Sequence, residues 1–385
     1  MSMSSLSPRV VERIPKLYML SILVLTFMAS LVLGGDPWQL LLVVFLMFTS
    51  FIVTFGLTPW VSSHLLRIGI SGIDRQKTKR VELAEMGGLS VSAGLIFGLL
   101  CIVFLSTYLK NTLYSNQMSM AMTTQELIIG LLAATSTILT ITIVGIADDL
   151  FQLPQYVKAL LPIIAAFPLM VILAGKHEMS LPFIGYVGLG LIYPLIFIPL
   201  GVTGASNAIN MFAGLNGLEA SLGIVMHLTV LATSLLILPF MPEAIYATII
   251  SASMLGALLA FLHYNRYPSK VFPGDVMTLT IGGSLATAVI LGNMEKIGLI
   301  LLAPHFIELF LKARTGFKGQ SFGIPQKDGT LKAPKKICSL NHVPMRLWKL
   351  TEPQVVAVLV LFECIFAAGA FLSVYLTYYA PRLIL

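Results

Sequence analysis

Read along the chain, apolar residues fall into eleven blocks, near 17–34, 38–61, 87–108, 125–147, 157–174, 185–205, 218–240, 243–263, 276–294, 297–313 and 355–380. Each approaches the roughly 20 residues that a helix needs to cross the hydrocarbon of a bilayer. The pattern predicts an all-α integral membrane protein of about eleven transmembrane helices, a single multi-pass domain over 1–385 with a long polar segment at 314–354. The first block follows Arg9, Arg13 and Lys16 and superficially resembles a signal peptide, yet it ends at Gly34-Gly35-Asp36 with no small-residue cleavage site. We read it as a retained helix.

Composition agrees with that pattern. The 385 residues are 57% hydrophobic and 11% charged, against about a quarter charged in soluble chains. Three cysteines, Cys101, Cys338 and Cys364, stand far apart without zinc-type spacing, which argues against a disulfide framework or structural zinc. The net charge of +7 is better explained by basic cytoplasmic loops than by nucleic acid, which is not expected as a partner.

With the N-terminus in the cytoplasm, the inside segments 1–16, 62–86, 148–156, 206–217, 264–275 and 314–354, with their boundary residues, hold 20 of the 24 Lys and Arg. The outer loops keep only Lys110, Lys176, Lys296 and Arg382. The excess of positive charge on one side sets the orientation. The same parity puts Asp74, Glu82, Glu85, Asp148, Asp149, Asn207, Asn210, Asn216 and Asp275 at the inner face. A transporter would be expected to place such groups near the midplane on broken helices; here the chemistry is expected at the cytoplasmic surface of a cell membrane.

Four constellations carry that chemistry. Asp148 and Asp149 close an apolar helix, where two adjacent carboxylates call for a divalent cation, a proton or a lysine, and Lys158 is placed to serve; the plainer alternative is a solvated helix end. Ser206–Glu219 interrupts the hydrophobic pattern with Asn207, Asn210, Asn216, Gly214 and Gly217, and irregular backbone at that depth needs protein or a wet site around it. Its amides suit a uracil edge, sugar hydroxyls or a metal, and its glycines would let N–H groups approach phosphate; a plain reentrant turn is the alternative. His263–Asp275 brings a carboxylate to a helix start beside Arg266 and Lys270, either as an N-cap or as part of a Mg²⁺-diphosphate site, since magnesium takes one or two carboxylates and leaves the rest to water and phosphate. The segment 312–354 carries nine Lys and Arg that either attract anionic headgroups or, at His342 and Arg346, meet a substrate phosphate.

At these residues the chain resembles the polyprenyl-phosphate N-acetylhexosamine-1-phosphate transferase family. The likeness runs from about Leu57 to the C-terminus and rests on Gly72-Ile-Asp-Arg-Gln-Lys77 with Glu85, Ala147-Asp-Asp-Leu150 with Lys158, Asn207–Ala220 and Tyr264–Asp275, in the family's order. It implies a ten-helix core preceded here by one extra helix, and a cytoplasmic site where Asp275 and Asn210 hold Mg²⁺, with Mn²⁺ as an alternative. Asp148 and Asp149 would face the lipid phosphate, Lys158 would steady phosphate charge, and Asn216 would lie in the nucleotide-sugar site. Asp74, Lys77, Glu85, Asn207, Glu219 and Arg266 complete the implied substrate-binding set, with His342 and Arg346. Asparagines at 210 and 216 with Ala213 are similar to the dolichol-type branch, whereas peptidoglycan translocases have aspartates there. The Arg-His-Arg run of the eukaryotic branch is replaced by Ser321-Phe-Gly323, so those arginine roles do not carry over; His342 matches only the first histidine of the bacterial loop.

The reaction so implied moves N-acetylglucosamine 1-phosphate from UDP-N-acetylglucosamine to a polyprenyl phosphate such as dolichyl phosphate, the first membrane step of lipid-linked glycan assembly. Another UDP-N-acetylhexosamine or undecaprenyl phosphate remains an alternative, and secondary transport of an anionic metabolite a remote one. Expected partners are the UDP-sugar, the polyprenyl phosphate and membrane lipid, with a homodimer left open. No retention tetrapeptide closes Arg382-Leu-Ile-Leu385, and a prokaryotic, archaeal-type membrane is expected.

Overall fold

A computed structural model of the protein describes residues 37–77, 81–108, 122–175, 178–181 and 185–380; the block at 17–34 lies outside them. Seven helices among the described residues are long and apolar enough to cross a membrane: α1 (Pro37–Arg67), α2 (Gly88–Tyr108), α3 (Thr124–Phe151), α7 (Leu218–Ile237), α8 (Ala244–Asn265), α9 (Gly274–Leu291) and α13 (Glu352–Val374), the last running on as a π turn to Tyr379. The chain is a multi-pass membrane protein. Between these spans lie α4 (Gln155–Leu160), α5 (Phe167–Val171), α6 (Ile198–Met211), α10 (Glu295–Leu301), α11 (Ala303–Ala313) and α12 (His342–Leu347).

Among the described residues, three of the expected blocks are broken along their length, and each break lies at or near proline, which removes a ladder donor and crowds the preceding turn. In 157–174, Pro162 and Pro168 leave α4, a 3₁₀ stretch Leu161–Ala166 and α5. The block 185–205 begins as a strand, Gly185–Gly188, passes through a π turn at Tyr193–Phe197, and becomes helical only at Ile198, with Pro194 and Pro199 near these starts. Pro304 marks the join of α10 and α11 inside 297–313.

Helix ends follow local chemistry. Thr123 and Glu126 form a reciprocal capping box at the start of α3, and Gln152 in a left-handed conformation followed by Pro154 ends it. The centre of the bundle is α8 and α9, almost wholly buried, while α13 presents most of its surface outward. Small residues set the spacing, as expected where helices must approach without a hydrophobic drive: a Cβ on Gly256 would lie 2.1 Å from the Met47 carbonyl oxygen, and one on Gly282 2.5 Å from backbone atoms of Ala205 and Ser206. Hydroxyls tie the same helices, with Thr280 3.1 Å from both Ser92 and Thr142 and Thr58 2.7 Å from Ser90.

Among the described residues, His227 and Glu363 depart from the expected confinement of ionisable groups to one face. His227 is buried between Ser251 and Ser284 hydroxyls at 3.3 and 3.2 Å, linking α7, α8 and α9. Glu363 is fully buried in the middle of α13, with no hydrogen-bond partner for either oxygen among the described residues. Among the described residues there are also three small antiparallel sheets: β1 (Ser71–Ile73) with β2 (Glu82–Ala84), β3 (Glu178–Leu181) with β4 (Gly185–Gly188), and β5 (Ile324–Pro325) with β6 (Thr330–Lys332) and β7 (Leu350–Thr351).

Candidate active site

The C-terminal end of α3 meets the N-terminal end of α9, and the polar machinery collects there. Asp148 is buried, and its Oδ2 lies 2.7 Å from Lys158 Nζ; the same ammonium is 2.5 Å from Asp275 Oδ2. One lysine thus bridges two carboxylates that would otherwise repel. Asp149 does something else: its oxygens accept from the Asp275 and Val276 amides at 2.8 and 3.0 Å. It serves α9 as an N-cap supplied by another helix, satisfying orphan amides at the positive end of the helix dipole. Gly274, at φ +69°, permits this join, since a Cβ there would lie 2.5 Å from Asp149 Oδ2 and 2.9 Å from Met86 backbone.

The two asparagines of α6 are helical, not part of an interruption: α6 runs to Met211, and the irregular stretch is 212–217. Asn207 donates to the Ala159 carbonyl at 3.0 Å, holding the segment that carries Lys158, and to Thr203. Asn210 Oδ1 accepts from Thr278 Oγ1 at 3.0 Å, one turn beyond Asp275. The β1–β2 hairpin is pinned against the segment before α9, with Phe272 N donating to the Ala84 carbonyl at 2.8 Å and Gly87 N to that of Phe272 at 2.9 Å. This brings Glu85 toward Asp275; burial first, and then the Asp275 charge, raise its carboxyl above the ordinary value, with Arg75 opposing.

Beside this centre lies a second cluster. Asp74 is buried, 2.5 Å from Lys77 Nζ, and accepts from Asn216 Nδ2 at 3.1 Å. Lys77 also stands 5.1 Å over the Tyr267 ring, a cation–π contact. Asn216, Arg266, Tyr267, His263 and Ser221 line a cleft of ≈ 290 Å³ with apolar walls from Leu259, Leu262 and Val356. In this loop the Gly214 amide is taken by protein: Gly214 N donates to Glu219 Oε1 at 2.6 Å, and Asn216 N donates to Glu352 Oε1 at 2.7 Å. Buried carboxylates outcompete solvent for those donors, and Gly217, at φ +81°, instead permits close passage of the Arg266 backbone.

In the basic segment, His342 is buried, with Nε2 3.1 Å from the Phe322 carbonyl and Nδ1 3.4 Å from Cys338 N. Burial holds it below the ordinary imidazole value of 6.5, so it supports the loop as a neutral ring. Arg346 is exposed and donates to the Pro334 and Lys335 carbonyls at 2.6 and 2.9 Å. Neither joins the Asp148–Lys158–Asp275 cluster. Sequence reading missed Gln76, Asn341 and Glu352, all buried at the site's edge; Glu352 in Thr351-Glu-Pro353 looks like an ordinary acidic first turn, and nothing local signals its partner 136 positions away.

The described residues contain no group of three or more His, Cys, Asp or Glu arranged to hold a metal ion. Thr278 Oγ1 lies 3.0 Å from Asn210 Oδ1 and 3.1 Å from the Asp275 main-chain carbonyl, which ties both residues to one turn of α9. A carboxylate and an amide oxygen are hard donors whose chemistry suits magnesium better than zinc.

Fold and site together define a multi-pass membrane protein whose polar residues converge at one end of its helices. The chain belongs to glycosyl transferase family 4, a family of enzymes whose sequence profile matches residues 131–293. It is 35% identical over 321 residues to a protein of Saccharolobus solfataricus provisionally named UDP-N-acetylglucosamine–dolichyl-phosphate N-acetylglucosaminephosphotransferase, covering 83% of this chain and 93% of that one. A Schizosaccharomyces pombe protein of the same name, given without that qualification, is 27% identical over 305 residues, 72% of this chain and 65% of its own. A phospho-N-acetylmuramoyl-pentapeptide-transferase of Thermoanaerobacter is 32% identical over 184 residues, 43% of this chain and 55% of its own.

Proposed function

We propose that the protein transfers N-acetylglucosamine 1-phosphate from UDP-N-acetylglucosamine to a polyprenyl phosphate of the dolichyl type. An oxygen of the carrier phosphate attacks the sugar-bound phosphorus, the bond to the bridging oxygen breaks, and UMP leaves. The products are polyprenyl-diphosphate-N-acetylglucosamine and UMP. The names of the relatives support the donor and carrier. The observation that carries the chemistry is the Lys158 ammonium set between Asp148 and Asp275, a cation preorganised where transferring phosphate needs its charge neutralised.

Asp148 orients Lys158, Asp149 holds the α9 terminus and so places Asp275, and Asn207 keeps the Lys158 segment against α6. A lipid phosphate, with its second pKa near 6, needs little deprotonation at neutral pH, which favours direct attack over an aspartyl intermediate. Asn216, Asp74, Lys77 and Arg266 face the nucleotide-sugar side. Mg²⁺, or Mn²⁺, held by Asp275 and Asn210, would supply charge neutralisation on the donor diphosphate when bound. The distribution of Lys and Arg supports a cytoplasmic site and N-terminus in the cell membrane, and the hydropathy pattern supports one domain of eleven crossings, with the three proline-broken blocks and 17–34 completing the seven long helices.

The test is mass spectrometry of the lipid product after incubating purified protein with UDP-N-acetylglucosamine and dolichyl phosphate. Gain of one N-acetylglucosamine phosphate on the carrier is the expected result. A carrier recovered unchanged with this and every other UDP-N-acetylhexosamine would overturn the proposal.

A further inference from the structure

The loop Ala213–Asn216 is held by four side chains from four separate parts of the chain. Glu219, in the first turn of α7, accepts from Gly214 N, and Glu352, at the start of α13, accepts from Asn216 N. Gln76, after β1, donates to the Gly214 carbonyl at 3.1 Å and accepts from Gly323 N at 3.2 Å. Asn341 donates to the Ala213 carbonyl at 3.2 Å and to that of Ser321 at 3.3 Å. All four are buried. A four-residue backbone with this many buried side-chain partners is over-determined: the Gly214 and Asn216 amides and the Ala213 and Gly214 carbonyls are committed to protein, and its one polar side chain, Asn216, is aimed at Asp74 and, through it, Lys77.

We propose that Glu352, Glu219, Gln76 and Asn341 are positioning residues that preset the 213–216 loop so that Asn216 and Asp74 meet the donor. The inference rests on the proposed function for the identity of the donor. It explains why two buried carboxylates face backbone amides instead of cations, and why the 321–323 and 341 segments are sewn to the loop. None of the four touches the Asp148–Lys158–Asp275 cluster, so their loss acts on donor binding ahead of the chemical step.

The test compares Glu352→Leu with Glu352→Gln, whose amide oxygen still accepts from Asn216 N. Glu352→Leu is expected to raise the KM for UDP-N-acetylglucosamine by about tenfold or more, the scale of a buried backbone amide left without its acceptor, with kcat and the carrier KM changed less. Glu352→Gln restores the donor KM to near the wild-type value. An unchanged donor KM in Glu352→Leu, or a fall in kcat alone, overturns the inference. Should Glu352→Leu fail to fold, Gln76→Leu carries the same expectation. Hydrogen exchange at the Gly214 and Asn216 amides separates this idea from the functional reading: if the wild type transfers nothing, faster exchange in the leucine variant still supports positioning, and unchanged exchange overturns it.

Discussion

Gly274→Ala is the smallest change that reaches the centre of the site. The residue sits at φ +69°, where a Cβ costs about 1–2 kcal/mol, and the added carbon would stand 2.5 Å from Asp149 Oδ2, about 0.9 Å inside ordinary contact. It would also press on the Met86 backbone at 2.9 Å, which cannot yield as a side chain can. The Asp149 carboxylate must therefore move by most of an ångström, and it holds the amides of Asp275 and Val276. Displacing Asp275 by that much is expected to lower kcat by about a hundredfold, the usual scale for a 1 Å misplacement, while the protein stays folded. Steady-state UMP release and a thermal melt in detergent read both quantities. A variant with kcat within threefold of the wild type and an unchanged melt would refute the view that Asp149 acts by placing Asp275.

Three further outcomes follow from the same geometry. Lys158→Met is expected to lower kcat by at least about a hundredfold and, because the ammonium occupies Asp275 Oδ2, to tighten Mn²⁺ binding measured by electron paramagnetic resonance; weaker binding would contradict the bridging reading. Asn207→Leu frees the Ala159 carbonyl and should cost about 1 kcal/mol of stability, seen as a lower melting midpoint together with reduced kcat. The neutral His342 has a folded-state pKa below its ordinary 6.5, so the unfolded loop takes up more protons on acidification; its contribution is present above about pH 6.5 and is lost as pH falls below it. Hydrogen exchange across 318–348 should therefore quicken from pH 7.5 to 5.5, and much less so in His342→Gln.

Seven long helices and the approach of Lys158 to Asp148 were legible in the sequence, because hydropathy over 20 residues and charged groups at helix ends are local signals. The proline-broken blocks were misread as continuous because average hydropathy ignores where a ladder donor is missing, as at Pro162, Pro168 and Pro304. Partners far apart in the chain were not legible. Asp149 resembles Asp148 in the sequence, yet one caps a helix 126 positions on and the other pairs with lysine. Gly214 reads as a phosphate-binding glycine, and only the approach of Glu219 and Gln76 shows both its amide and its carbonyl taken. Glu363 and His227, isolated in apolar runs, were overlooked.

The central claim is a metal-assisted transfer of sugar phosphate to a lipid carrier. Its most direct measurement is release of radiolabelled UMP from UDP-N-acetylglucosamine by purified protein with dolichyl phosphate, with and without Mg²⁺, for the wild type and Asp275→Asn. The account predicts release that needs both lipid and metal and is lost in Asp275→Asn. Release that persists without added metal in the presence of a chelator, or that survives in Asp275→Asn at the wild-type rate, would contradict it.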